Sequence, residues 1–285
     1  LSMKIDTLVL SGGGPSGTAY IGIFSALFEK GIIKPDLEGI KEIITTSIGI
    51  VFSILYMLNI NPEAVKKIIV DMDIGSLLNI DEIEIDNLLV NFGLFTNNKI
   101  GHGTESIIRH TLHKEDITMK ELYEKVPIKL TVKVFNCTLK TVEYINHETD
   151  PNLKLSVLTN MTTAIPFFFK PVMYNNYYYV DGGLRGNFPI EHCLSEKYLG
   201  VYIAGEIFPK DSEILNLFPI IGFIHSLMIN QDDIVRKIKS GVSKKQIIYT
   251  EINEGLNFNL SDADKERIIS IGYESTMNHI KVHSL

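Results

Sequence analysis

Three short stretches of this chain carry groups suited to nucleophilic chemistry. The first is Glu42-Ile43-Ile44-Thr45-Thr46-Ser47-Ile48-Gly49-Ile50-Val51-Phe52, where an apolar β-type run stops at a serine and restarts at once as a helix-type run. No loop fits between Ile43 and Phe52, so the backbone must reverse within a few residues. Ser47 is thereby carried on a tight, strained strand-to-helix turn, the geometry of a nucleophile elbow. The usual spacing is G-x-S-x-G, and Thr45-Thr46-Ser47-Ile48-Gly49 keeps the second glycine while threonine replaces the first. The competing reading of this serine is a helix N-cap.

The second stretch is Ser11-Gly12-Gly13-Gly14-Pro15-Ser16-Gly17, between a buried strand at Thr7 to Leu10 and a helix over Thr18 to Lys30. Backbone N–H groups at the start of a helix attract anions and oxyanions. Three chemistries could use such a loop. A P-loop ends in Gly-Lys-Ser/Thr, and Gly17-Thr18 offers no lysine. A dinucleotide fingerprint matches Gly12-x-Gly14-x-x-Gly17, but it also needs an acidic residue at the end of the second strand. That strand ends at Thr45-Thr46-Ser47, and Asp36 and Glu38 precede it, so dinucleotide binding stays the runner-up. An oxyanion hole needs a nucleophile close by, and Ser47 supplies one.

The third stretch places Asp181 where the aromatic run Tyr177-Tyr178-Tyr179 gives way to Gly182-Gly183. A turn aspartate is the plain alternative. Open α/β sheets, however, assemble their sites at the carboxyl ends of strands, and Gly12, Ser47 and Asp181 each fall just past such an end. His110 and His113 stand one turn apart on an expected helix from Gly101, but no third metal ligand accompanies them, which favours a solvated helix face.

These residues need a scaffold of alternating strands and helices. Strands are expected at Thr7 to Leu10, Glu42 to Thr46, Ile128 to Phe135 with a hairpin partner at Lys140 to Ile145, Tyr198 to Ala204 and Gln246 to Ile252. Asn175-Asn176 tolerates positive φ and predicts a hairpin joining Val172 to Tyr174 with the run that delivers Asp181. Helices are expected over Ile48 to Leu58, apolar all round, then from Asn61-Pro62-Glu63 with Ala64, Val65, Ile68 and Ile69 inward, near Asp86 to Asn91, over Leu153 to Ile165, within Ile214 to Ile238, and from Ser261 to about His279. The fold class is α/β, a single domain over residues 3–285 in three layers: a mixed, mainly parallel central sheet with helices on both faces.

Composition removes several functions. The net charge of −7 leaves no electrostatic footprint for nucleic acid. The two cysteines, Cys137 and Cys193, form neither a disulfide framework nor a thiolate metal site and fit a reducing, cytoplasmic setting. Lys4 to Leu10 is too short and too acidic for a signal peptide. The longest uncharged stretches, Ile43 to Ile60 and Leu215 to Gln231, fall short of the roughly 20 uniformly apolar residues of a membrane span. Lipid contact is therefore expected to be peripheral, and Phe167-Phe168-Phe169 and Phe218 to Ile224 are either its apolar surface or, the favoured reading, core.

In order along the chain, Ser11 to Gly17, Thr45 to Gly49, Thr163-Ala164-Ile165-Pro166-Phe167-Phe168-Phe169 and Asp181-Gly182-Gly183 resemble the motif set of the patatin-like phospholipases, over about Asp6 to Ala204. The resemblance implies a three-layer patatin-like sandwich and a lipid acyl hydrolase of phospholipase A type. Its nucleophile would be Ser47, its sole base Asp181, and its oxyanion hole would draw on Gly12, Gly13, Gly14 and Gly17. It implies no cofactor, no metal, independence from calcium, and a phospholipid or other acyl-lipid substrate. The family usually has Lys or Arg at Ser16 and Gly at Thr45, which implies a weaker hydrolase; the alternative is a non-catalytic lipid or protein binder on the same scaffold.

Overall fold

A computed structural model describes residues 4–71, 90, 92–95, 99–205, 244–254 and 257–284. The helices expected near 86–91 and within 214–238, and the apolar run 218–224, lie outside the described residues. In chain order the elements are β1 (Thr7–Leu10), α1 (Ala19–Glu29), β2 (Glu42–Thr46), α2 (Gly49–Met57), α3 (Pro62–Asp71), β3 (Gly93–Phe95), α4 (Ile100–Leu112) and α5 (Met119–Lys125). They continue with β4 (Lys129–Asn136), β5 (Thr141–Ile145), α6 (Leu155–Thr163), β6 (Phe167–Phe169), β7 (Val172–Tyr174), β8 (Tyr177–Asp181), β9 (Tyr198–Ala204), β10 (Ile247–Glu251) and α7 (Asp262–His283).

Eight strands form one sheet along the path β10-β9-β1-β2-β4-β8-β7, with β5 also on β4. β10, β9, β1, β2 and β4 run parallel; β5 and β8 are antiparallel to β4. The register around β4 decides where the site can be. Val132 and Lys133 pair with Thr45 and Thr46 of β2 and also with Ile145 and Tyr144 of β5, so β2 and β5 occupy opposite edges. Val134 pairs with Asp181 of β8 and with Glu143 of β5, so β8 shares the edge of β2. The two strands run toward each other along that edge and their carboxyl ends meet between Lys133 and Val134. Ser47, just past β2, and the carboxylate of Asp181, ending β8, are neighbours for this reason.

Alternation along the strands sorts the side chains between two faces. Leu8, Leu10, Ile43, Val132, Val134, Leu199 and Val201 join the larger core with buried residues of α1, α2, α6 and α7, while Val9, Ile44, Tyr202 and Ile247 enclose Phe188 on the other face. Among the described residues that second face carries the 3₁₀ turns Gly182–Arg185 and Ile190–His192, and the mixed, mainly parallel sheet with its helices is the expected α/β architecture. In α3, Val65 and Ile69 are buried as expected, but Ile68 is 39% exposed. Asn61 caps that helix through Oδ1, which accepts Ala64 N–H at 2.9 Å, and Ser261 opens α7 with a capping box. Among the described residues no helix is long and apolar enough to cross a membrane.

Candidate active site

Ser47 holds φ of 53°, the left-handed region that a residue with a Cβ seldom occupies. The expected strain is therefore visible at Ser47 itself. What holds it is a short relay: Ser47 N–H donates to Thr162 Oγ1 at 2.8 Å, and Thr162 Oγ1 donates to the Lys133 carbonyl at 2.8 Å. Thr46 Oγ1 reaches the same carbonyl at 3.3 Å. Ser47 and Asp181 are both buried, and Ser47 Oγ donates to Asp181 Oδ2 at 2.6 Å. The other carboxylate oxygen accepts Gly183 N–H at 2.7 Å, and Asp181 N–H donates to the Ala164 carbonyl at 2.9 Å. Both carboxylate oxygens are thus fixed, and the serine hydroxyl has one acceptor in line.

Burial pushes the Asp181 carboxyl up to about 6, against the lowering pull of Ser47, Gly183 N–H and the charge of Lys133. An ordinary aspartate near 4 is a poor base for an alcohol; one near 6 is better matched to neutral pH and still ionised there.

The glycine loop divides its duties. Gly12 N–H is taken by the Asn187 carbonyl at 2.9 Å, and a Cβ on Gly12 would stand 2.8 Å from Ser47 Cβ, so this glycine lets the loop pass against Ser47. Gly17 makes room for Ile48, whose Cγ2 would lie 2.6 Å from an added Cβ. Gly13 and Gly14 open the 3₁₀ turn Gly14–Thr18, and their N–H groups donate to no acceptor among the described residues. Of the four glycines, these two have donors to offer.

Thr45, which stands where the elbow motif has its first glycine, finds its room at Gly49. The Thr45 side chain is fully buried, and its Oγ1 lies 2.2 Å from where a Cβ on Gly49 would be. Two residues in the elbow exchange size: the strand carries the bulk and the helix gives it up. The turn is kept at the expense of one buried hydroxyl, since Thr45 Oγ1 has no hydrogen-bond partner among the described residues.

Ser47 opens onto an apolar cavity of about 660 Å³. One wall is Ile48, Val51, Phe52 and Leu55, a single face of α2; Ile69, Ile107 and Phe169 contribute others. Phe168 and Phe169 are core residues, and Phe169 also lines this cavity. His110, expected on a solvated face, is exposed yet belongs to the cavity lining, whereas His113 ends α4 in a left-handed conformation. Among the described residues no three His, Cys, Asp or Glu side chains gather as a metal site.

Lys133, Thr162 and Asn187 also border the site and belong to none of the sequence motifs. Asn187 is placed by the loop after β8, and its Oδ1 lies within 3.0 Å of where a Cβ on Gly183 would be. Lys133 alone left a trace in the sequence, as a cation inside the strand Leu130-Thr131-Val132-Lys133-Val134-Phe135.

Several known proteins are similar to this chain. The family model described as patatin-like phospholipase matches residues 8–194. A probable lipid hydrolase of Invertebrate iridescent virus 6 is 30% identical over 185 residues, 65% of this chain and 62% of the viral protein. An uncharacterised protein of Acanthamoeba polyphaga mimivirus is 25% identical over 287 residues, 97% of this chain and 94% of its own length. Among solved structures, VipD from Legionella pneumophila superposes with a TM-score of 0.66 at 18% identity, covering 98% of this chain and 67% of VipD. ExoU of Pseudomonas aeruginosa, solved with SpcU, gives 0.55 at 17% identity, with 98% of this chain and 52% of that one. At these identities the two structures speak to fold alone.

Proposed function

This chain belongs to the patatin-like phospholipase family, and from that premise we propose that it is a lipid acyl hydrolase with Ser47 as nucleophile, Asp181 as sole base and the Gly13 and Gly14 N–H groups as oxyanion donors. The observation that supports this most directly is the 2.6 Å hydrogen bond from Ser47 Oγ to Asp181 Oδ2 at the edge of an apolar cavity. Asp181 takes the hydroxyl proton as Ser47 Oγ attacks the ester carbonyl; the tetrahedral oxyanion is held by the glycine loop. Collapse expels the alcohol, which takes its proton back from Asp181; water then attacks the acyl-serine with Asp181 again as base, and collapse of that second intermediate breaks the ester to Ser47, whose Oγ takes the proton from Asp181 as the fatty acid leaves.

A fluorophosphonate that phosphonylates active serines tests this reading, alongside fatty-acid release from phosphatidylcholine vesicles in a calcium chelator. Labelling and release are expected for the native chain and not for Ser47→Ala, with an acid limb near pH 6 because the carboxylate disappears as pH falls through the raised value of Asp181. A folded native chain that neither labels nor releases fatty acid would place the protein among non-catalytic binders.

The cavity also makes a statement about the acyl chain. From Ser47 to Leu55 the α2 wall runs about 12 Å at 1.5 Å per residue, comparable with one leaflet's share of a hydrocarbon core roughly 30 Å thick. Leu55→Trp fills the far end and is expected to lower release of long-chain relative to short-chain acyl groups on the order of tenfold. Equal rates for both chain lengths in that variant would remove the cavity from acyl selection.

A further inference from the structure

Lys133 is the one ammonium group among the described residues whose side chain is completely buried at the meeting point of β2 and β8. It alternates with Val132 and Val134, so it lies on the face of the sheet opposite the cavity. From there Nζ donates to the carbonyls of Arg185 at 2.8 Å and Gly186 at 2.9 Å, and pairs with Glu191, whose Oε1 also accepts Tyr144 O–H at 2.6 Å. Arg185 and Gly186 close the 3₁₀ turn that begins at Gly182, directly after Asp181, and Gly183 of that turn donates to Asp181 Oδ1. Through its own carbonyl, Lys133 anchors Thr162, which in turn holds Ser47 N–H.

One residue therefore reaches both halves of the site, by its main chain on the serine side and by its side chain on the carboxylate side. We propose that Lys133 is a positioning residue for the Ser47–Asp181 pair: its ammonium pins the turn behind Asp181, and its positive charge reaches that buried carboxylate through the sheet. A fully buried ammonium is costly to maintain unless paired and hydrogen-bonded. A strand that needed only packing here would carry valine or leucine. Glu191 partly neutralises the charge, so the field felt at Asp181 is set by the Lys133–Glu191 pair. The groups facing Asp181 are Ser47 from the elbow, Gly183 from its own turn and Lys133 from β4; burial works against all three.

The inference rests on the hydrolase reading for its consequence, and two variants with opposite expectations test it. Lys133→Met removes the cation and is expected to move the acid limb of Ser47 labelling up by about one pH unit. Glu191→Gln keeps the acceptor for Lys133 and Tyr144 but removes the neutralising anion, and should move the limb down. A purely structural loss would not drive the two in opposite directions. The same titration is read without any activity from the side-chain carbonyl ¹³C signal of Asp181, assigned by its absence in Asp181→Asn. Opposite shifts in that signal support the proposal even if the native chain fails to label, which would count against the hydrolase alone. If both variants shift the limb the same way, or leave Asp181 unmoved while labelling persists, Lys133 is structural and the proposal falls. Should Lys133→Met not fold, an unmoved Asp181 in Glu191→Gln overturns it equally.

Discussion

Replacing Asp181 by asparagine is expected to make the protein more stable at neutral pH while lowering its rate of Ser47 acylation on the order of a thousandfold. Asparagine preserves the shape and offers Oδ1 to Gly183 N–H, but its amide presents a donor where Ser47 Oγ needs an acceptor, so proton removal is lost. The stability gain follows from the direction of the shift. Asp181 rises from about 4 unfolded to about 6 folded, so between those values the native state holds the proton more tightly than the unfolded chain does. The contribution of Asp181 alone is therefore most favourable below pH 4, falls as pH rises from 4 to 6, and reaches its full penalty above 6, roughly 2–3 kcal/mol. An asparagine carries none of it. Thermal unfolding of the two proteins from pH 4 to pH 8 should show curves that converge in acid and separate by several degrees at pH 7. A variant that melts at or below the native temperature at pH 7 would show that the carboxylate is better compensated than its burial implies.

The second large effect lies far from the serine. α1 and α7 cross backbone to backbone at two glycines: a Cβ on Gly22 would sit 1.9 Å from the Ile269 carbonyl oxygen, and one on Gly272 would sit 2.3 Å from that of Ala19. Neither contact can be relieved by rotating a side chain. Gly22→Ala must separate the helices, at about 3 kcal/mol for an overpacked core, or roughly 6–12 °C in melting temperature. Gly103→Ala on α4, where an added Cβ meets nothing within 4 Å, is the control and should leave stability unchanged or raise it slightly. Because α1 starts at Ala19, immediately after the 3₁₀ turn of the glycine loop, a displaced α1 also carries the Gly13 and Gly14 donors away from Ser47, and labelling should slow in Gly22→Ala well below its melting point. Equal melting temperatures for Gly22→Ala and Gly103→Ala would contradict the close crossing.

What could be read from the chain alone divides along sequence distance. β1, β2, β4 and β9 announce themselves by local apolar runs, the 175–176 turn by two asparagines that adopt φ of 48° and 64°, and Ser47 by the abrupt change of period around it. Asp181 was legible because strand ends in α/β sheets are where sites gather. Contacts between distant segments left no such trace. Thr162 supports Ser47 across 115 positions, and nothing in Asn160-Met161-Thr162 sets this threonine apart from Thr159 or Thr163. Lys133 read as the polar half of an alternating strand, whereas the segment after β8 folds over it and closes the face. Ile68 went the other way, placed inward by helical period but left 39% exposed where α3 borders the cavity. The motifs end near Ala204, yet α7 is the principal support of α1, a dependence that no local pattern of glycines discloses.

The head-on meeting of β2 and β8 along one edge of β4 has a consequence for biosynthesis. Ser47 leaves the ribosome 134 residues ahead of Asp181, and the strand that must receive both is made between them. A nascent chain that has reached residue 180 therefore carries the serine, its glycine loop and β4, but no acceptor for the serine proton. The hydroxyl stays an ordinary alcohol until β8 arrives from the opposite direction. The proposed nucleophile is in this way without its base throughout most of the chain's own synthesis, and gains it when β8 pairs with β4, before β9 and β10 extend the far side of the sheet.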